Sequence, residues 1–91
     1  MSQRHVSIGS SVGLHARPAA LFVQAAARQP VKVTIAKAGG GDAVDARSIL
    51  SVLGLDARKG DEVILSADGA GDAAALAELA ALLERDLDTE A

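Results

Sequence analysis

Cysteine, tryptophan and tyrosine are absent from this 91-residue chain, and Phe22 is its only aromatic residue. Without cysteine there is no disulfide framework and no thiolate zinc site, and two widely separated histidines, His5 and His15, give little basis for any other metal cluster. No metal and no cofactor are therefore expected. A single aromatic offers no platform for stacking bases or sugars, so the core must be built from Leu, Val, Ile and Ala. No apolar run reaches the roughly 18 residues of a membrane-spanning helix. The opening Met1-Ser2-Gln3-Arg4-His5 also lacks the apolar stretch of an export signal, so a cytoplasmic protein without membrane insertion is expected. A basic surplus is missing too. Nine Lys and Arg against twelve Asp and Glu leave a formal charge of −3, the wrong sign for binding nucleic acid by neutralising phosphates.

The length suits one compact unit, residues 1–91, and no repeat or linker interrupts it. Arg4-His5-Val6-Ser7-Ile8 alternates with the period of a half-buried strand, β1, and puts His5 on its polar side. From Ala16 to Arg28, Ala19, Phe22, Val23 and Ala26 fall on one helical face, α1, which Pro30 stops. Val31 to Ile35 alternates again as β2. Gly39-Gly40-Gly41-Asp42 then turns the chain into a short β3 around Ala43-Val44. Asp45 to Gly54 reads as α2, with Asp45 or its neighbour as cap and Gly54 as stop. Glu62 to Ala67 is β4. From Asp72 as N-cap, Leu76, Leu79, Ala80, Leu83 and Leu87 recur at helical spacing as α3, and Asp88 to Ala91 are expected to fray. Alternating strands in the order β-α-β-β-α-β-α predict an α+β fold, an open-faced sandwich whose sheet is covered on one side.

The informative stretch is Gly13-Leu14-His15-Ala16-Arg17-Pro18-Ala19, which sets an imidazole, a guanidinium and a proline at a helix start. The first amides of a helix have no internal acceptor and lie at the positive end of its dipole, so Ala16 and Arg17 could offer N–H groups to an anion. Pro18 has no amide to lose there, and it biases Arg17 away from helical angles, so the helix can begin anywhere from Ala16 to Pro18. Arg17 adds a charged fork suited to phosphate oxygens. The dipole and Arg17 both disfavour an imidazolium, which leaves a neutral, nucleophilic ring nitrogen at His15. No Asp or Glu lies in the loop to act as a general base, and no glycine-rich nucleotide cradle is present, so hydrolysis or ATP-driven transfer is poorly supported. The plainer alternative makes His15 a capping loop residue and Arg17 a solvated charge.

Gly13 to Ala19 resembles the active-site motif of the HPr family, the histidine-containing phosphocarriers of the phosphoenolpyruvate:sugar phosphotransferase system. Ser48-Ile49-Leu50-Ser51-Val52-Leu53-Gly54-Leu55 and Lys59-Gly60 fall at the separations of that family, so the likeness spans nearly the whole chain. The resemblance implies an antiparallel sheet in the order 1-4-2-3 with three helices on one face. It also implies that His15 accepts phosphate on Nδ1 from Enzyme I and passes it to the IIA domain of a sugar permease, with Arg17 assisting. Such a protein is a stoichiometric carrier rather than an enzyme, and a monomer is expected.

Ile49, Leu50, Val52, Leu53 and Leu55 are more apolar residues than a two-turn helix can bury on one face. With the resemblance, Leu14, Ala20, Ile49, Leu50 and Leu53 become candidates for a docking patch; the alternative is a well-buried short helix. Ser48 matches the serine that a regulatory kinase phosphorylates in HPr proteins of many Gram-positive bacteria. There, added charge near the start of α2 is locally tolerated yet could block an acidic partner. A helix-start serine accounts for Ser48 equally well. Val12 departs from the family, which often has a polar residue there, so a side-chain hydrogen bond to the phosphohistidine is lost. Two other functions compete: a carrier for a nitrogen-related or dihydroxyacetone branch, and a regulatory module that binds a transcription regulator.

Overall fold

The structure, a computed structural model, describes residues 2–85. The elements run β1 (Ser2–Ser7), α1 (Ala16–Ala27), β2 (Val33–Lys37), β3 (Val44–Asp45), α2 (Ile49–Gly54), β4 (Glu62–Ala67) and α3 (Asp72–Glu84). The strands form one antiparallel sheet in the order β1-β4-β2-β3, as the resemblance implies. Central β4 sets the pattern: Val63, Leu65 and Ala67 are buried while Glu62, Ile64 and Ser66 are more open. Because antiparallel partners share a face, Val63 lies opposite Val6, while Leu65 and Ala67 lie opposite Ile35 and Val33. That inward face meets Ala19, Phe22, Ala25 and Ala26 of α1 and Ala75, Leu76, Leu79, Ala80 and Leu83 of α3. Phe22 is the largest fully buried side chain, and the alanines around it let the helices approach closely.

Element types follow the sequence pattern, and the differences lie at boundaries. β1 begins two residues before Arg4, and Ile8 leaves the strand while staying buried. β2 pairs with β4 only from Val33, because residues 29–32 turn the chain out of α1, and the strand then runs on to Lys37. β3 lies one residue beyond the Ala43-Val44 expectation.

Asp45 does not cap α2. It pairs with Thr34 in the sheet, and its carboxylate accepts hydrogen bonds from the Arg47 backbone N–H at 2.9 Å and from the guanidinium at 3.0 and 3.1 Å. The cap is Ser48, whose Oγ accepts from the Ser51 N–H at 3.4 Å, so α2 is shorter at its start than the periodicity suggests. Gly71 takes the N-cap position of α3 in left-handed conformation, φ 87°, which displaces Asp72 into the first turn. There the Asp72 carboxylate suits the helix dipole and accepts the Ser2 hydroxyl at 2.8 Å. Leu87 and Asp88 to Ala91 lie outside the described residues.

Candidate functional site

The loop from Ile8 to His15 is zipped onto the segment between α2 and β4. The Ile8 N–H donates to the Asp61 carbonyl at 2.9 Å, Gly60 donates back to Ile8 at 2.9 Å, and Leu14 donates to Ala57 at 2.7 Å. Gly13 makes the last contact possible. It sits at φ 73°, and a Cβ there would stand 2.5 Å from the Ala57 carbonyl oxygen and 2.8 Å from the Arg58 Cα. Leu14 follows with only 1% exposure, packed into the core. The docking role expected of Leu14 is thus corrected, because its side chain is not on the surface; it anchors the loop from beneath.

His15 is the N-cap of α1 in extended backbone and makes no side-chain capping bond. Its ring, 38% exposed, is left for other chemistry. Ala16 opens the helix at φ 50°, a left-handed conformation that an L-residue adopts only at a cost. The first α1 amide with a backbone acceptor in this turn is Ala19, which donates to His15 at 3.3 Å. The Ala16 and Arg17 amides are the orphans of the helix start, and Pro18, buried, has none to offer. Arg17 is exposed and has no ion-pair partner among the described residues, so its guanidinium is available to an arriving anion.

Sequence reasoning missed Asp56. It found no carboxylate in the loop, and the fold supplies one from 41 residues away: Asp56 Oδ1 lies 3.2 Å from His15 Nε2. Asp56 itself is held at φ 51°, a conformation Asp tolerates better than most side chains. Its other oxygen accepts from the Arg58 guanidinium at 3.1 Å. Arg58, and after it His15, keep the Asp56 carboxyl below its ordinary 3.8. The ring therefore faces a negative group as well as the positive helix start, which the sequence reading left out of its charge balance. No local pattern marks Asp56; only the strand pairing and the Leu14–Ala57 bond bring it to His15.

The apolar surplus of α2 divides. Val52 is fully buried and Leu53 and Leu55 pack partly against the core, whereas Leu50 is 80% and Ile49 40% exposed. Ala20 on α1 is half-buried, and Val12 is exposed in the loop before His15. Since α1 packs on α2, and Asp56 follows α2 by two residues, Leu50 and Ile49 belong to the same end of the molecule as the ring. His5 is elsewhere: its exposed ring meets Glu62 Oε1 at 2.6 Å on the β1–β4 ribbon.

Comparison with known proteins agrees with this geometry. A family described as "PTS HPr component phosphorylation site" matches residues 2–85. The chain is 50% identical over 88 residues to phosphocarrier protein HPr of Streptomyces coelicolor, covering 97% of this chain and 94% of that protein. It is 40% identical over 87 residues to the HPr-like protein Crh of Bacillus subtilis, covering 96% of this chain and 100% of that one. Among solved structures, HPr-C-His from Thermoanaerobacter tengcongensis superposes with a TM-score of 0.88 at 35% identity, with 100% of both chains covered. An exposed histidine at an open helix start, in this sheet order and with these relatives, places the chain in the HPr family, the phosphocarrier proteins of the phosphotransferase system.

Proposed function

We infer that His15 accepts a phosphoryl group on Nδ1 from phospho-Enzyme I and passes it to the IIA domain of a sugar permease in the cytoplasm. The observation that carries this reading is the exposed His15 ring whose Nε2 is occupied by Asp56, which leaves Nδ1 as the nitrogen free to react. The amides of Ala16 and Arg17 at the helix start and the Arg17 guanidinium, which has no ion-pair partner among the described residues, are the donors for the incoming phosphoryl oxygens. All of these groups come from one chain, so a monomer suffices. The protein is a carrier because its own residues provide an acceptor and no nucleotide cradle; donor and recipient are partner proteins. Ile49 and Leu50, with Leu53 and Ala20 beside them, are the surface on which both partners dock. Ser48 is the position for regulatory phosphorylation, where new charge would sit at the edge of that surface.

The test is incubation with phosphoenolpyruvate and purified Enzyme I, followed by intact-mass measurement. The wild type gains one phosphoryl group and His15→Ala gains none; a His15→Ala protein that is still labelled sinks the assignment. The second reading is a carrier for a regulatory branch, and its support is the likeness to Crh, which is described as a catabolite repression HPr. Offering the phosphorylated protein IIA domains of sugar and of regulatory branches side by side decides between the two.

A further inference from the structure

We propose that Asp56 is a positioning residue for His15: its carboxylate holds the ring proton on Nε2, which directs the phosphoryl group to Nδ1 and balances the charge that the ring then acquires. The inference rests on the reading of His15 as phosphoryl acceptor and adds a residue to it. Three contacts hold Asp56 against the ring. Nε2 of His15 and Oδ1 of Asp56 are 3.2 Å apart, within hydrogen-bond range. An ionised carboxylate only accepts, so this contact requires the proton to sit on Nε2, and in the neutral ring the lone pair is then on Nδ1. Arg58, 3.1 Å from Oδ2, keeps Asp56 ionised and aimed. Lys37 adds the third contact from β2, its Nζ reaching the Asp56 carbonyl at 3.4 Å, and the same Nζ ion-pairs with Asp61 at 3.5 Å.

In the transfer step the Nδ1 lone pair forms the N–P bond while the bond between phosphorus and the donor protein's atom breaks, its electron pair leaving with the donor. The Nε2 proton stays in place, so the phosphorylated ring is a cation, and the Asp56 carboxylate faces that charge. A carboxylate that orients an imidazole and stabilises its cationic form is a recurrent arrangement in acyl transfer. Here the same pair serves phosphoryl acceptance. On the onward step an atom of the recipient protein bonds to phosphorus as the N–P bond breaks, the N–P electron pair goes back to Nδ1, and the ring is again neutral with its proton on Nε2.

The experiment uses a donor that needs no partner protein. The full-length chain carrying His5→Gln, so that His15 is its one imidazole, and its Asp56→Gly and Asp56→Asn variants are phosphorylated with phosphoramidate, and phosphorus NMR separates the Nδ1 from the Nε2 product. Glycine and asparagine are chosen because both accept the positive φ of this position, and thermal melts report whether each variant is folded. The chain with Asp56 intact should react at Nδ1. Asp56→Gly should raise the Nε2 share roughly fivefold, the scale of an exposed charge pair, with Asp56→Asn between them. A merely structural role would not move this ratio, and the same ratio in all three folded proteins overturns the proposal. Acceptance from phospho-Enzyme I should slow roughly fivefold in Asp56→Gly. A wild type that reacts at Nδ1 chemically yet takes nothing from Enzyme I would overturn the carrier reading and leave the Asp56 assignment standing.

Discussion

Gly13 is where the fold and the site are most tightly joined, and Gly13→Ala tests that joint. At φ 73° an alanine costs about 1–2 kcal/mol in backbone conformation alone. Its Cβ would also stand 2.5 Å from the Ala57 oxygen and 2.8 Å from the Arg58 Cα, and both are backbone atoms that cannot swing aside. Clearing them means prising the loop away and stretching the 2.7 Å Leu14–Ala57 bond. Overpacking of that kind costs about 1–3 kcal/mol, so the total is about 2–5 kcal/mol. Gly60→Ala is the control: φ is 88°, and nothing lies within 4 Å of its Cβ, so only the conformational cost of about 1–2 kcal/mol remains. Any stiffening of the unfolded chain is the same in both variants and cancels from the difference. Urea unfolding followed by circular dichroism should show unchanged slopes, with the midpoint of Gly13→Ala falling about twice as far. Because the same loop carries His15 to Asp56, Gly13→Ala should also slow phosphoryl acceptance. Equal midpoints for the two variants would refute the close-approach reasoning.

Phe22→Ala, which empties the centre of the core, should cost about 3–5 kcal/mol in the same urea assay; a loss below 1 kcal/mol would show that the helices collapse into the space. Leu50→Asp lies at an 80% exposed position, so stability should change by less than about 0.5 kcal/mol while acceptance from Enzyme I slows markedly. Unimpaired transfer would remove Leu50 from the docking surface. Hydrogen bonds from Arg47 lower the Asp45 carboxyl from 3.8 to about 2. A depressed folded-state value gives stability that is present above 3.8 and lost as the pH falls through about 2. Arg47→Ala should therefore lower the urea midpoint at neutral pH, and its difference from wild type should shrink across that acid window. A difference that persists at the acid end would contradict the pairing.

The likeness to Gly13 through Ala19 was legible in the sequence because the chemistry of that motif is local: a glycine, an imidazole and a proline at fixed spacing need no tertiary information to be read together. The alternation of Val63, Leu65 and Ala67 and the helical spacing of Leu76, Leu79, Ala80 and Leu83 were legible for the same reason, since a strand or helix buries one face by its own period. Boundaries were less so. Asp45 had the chemistry of a helix cap, but a partner strand claimed it, and that competition is settled between residues far apart in the chain.

The sequence by itself determined the order of the elements, the core face of the longer strands and helices, and His15 as the candidate acceptor, because each depends on short-range periodicity or on side-chain chemistry. The tertiary structure alone decided that Leu14 is an anchor rather than a contact surface, that Leu50 and Ile49 are the residues of α2 left in solvent, and that Asp56 meets His15. The physical reason is loop closure. Gly13 admits the Ala57 backbone at a distance no side chain would allow, and that one approach brings together an imidazole and a carboxylate that are 41 residues apart.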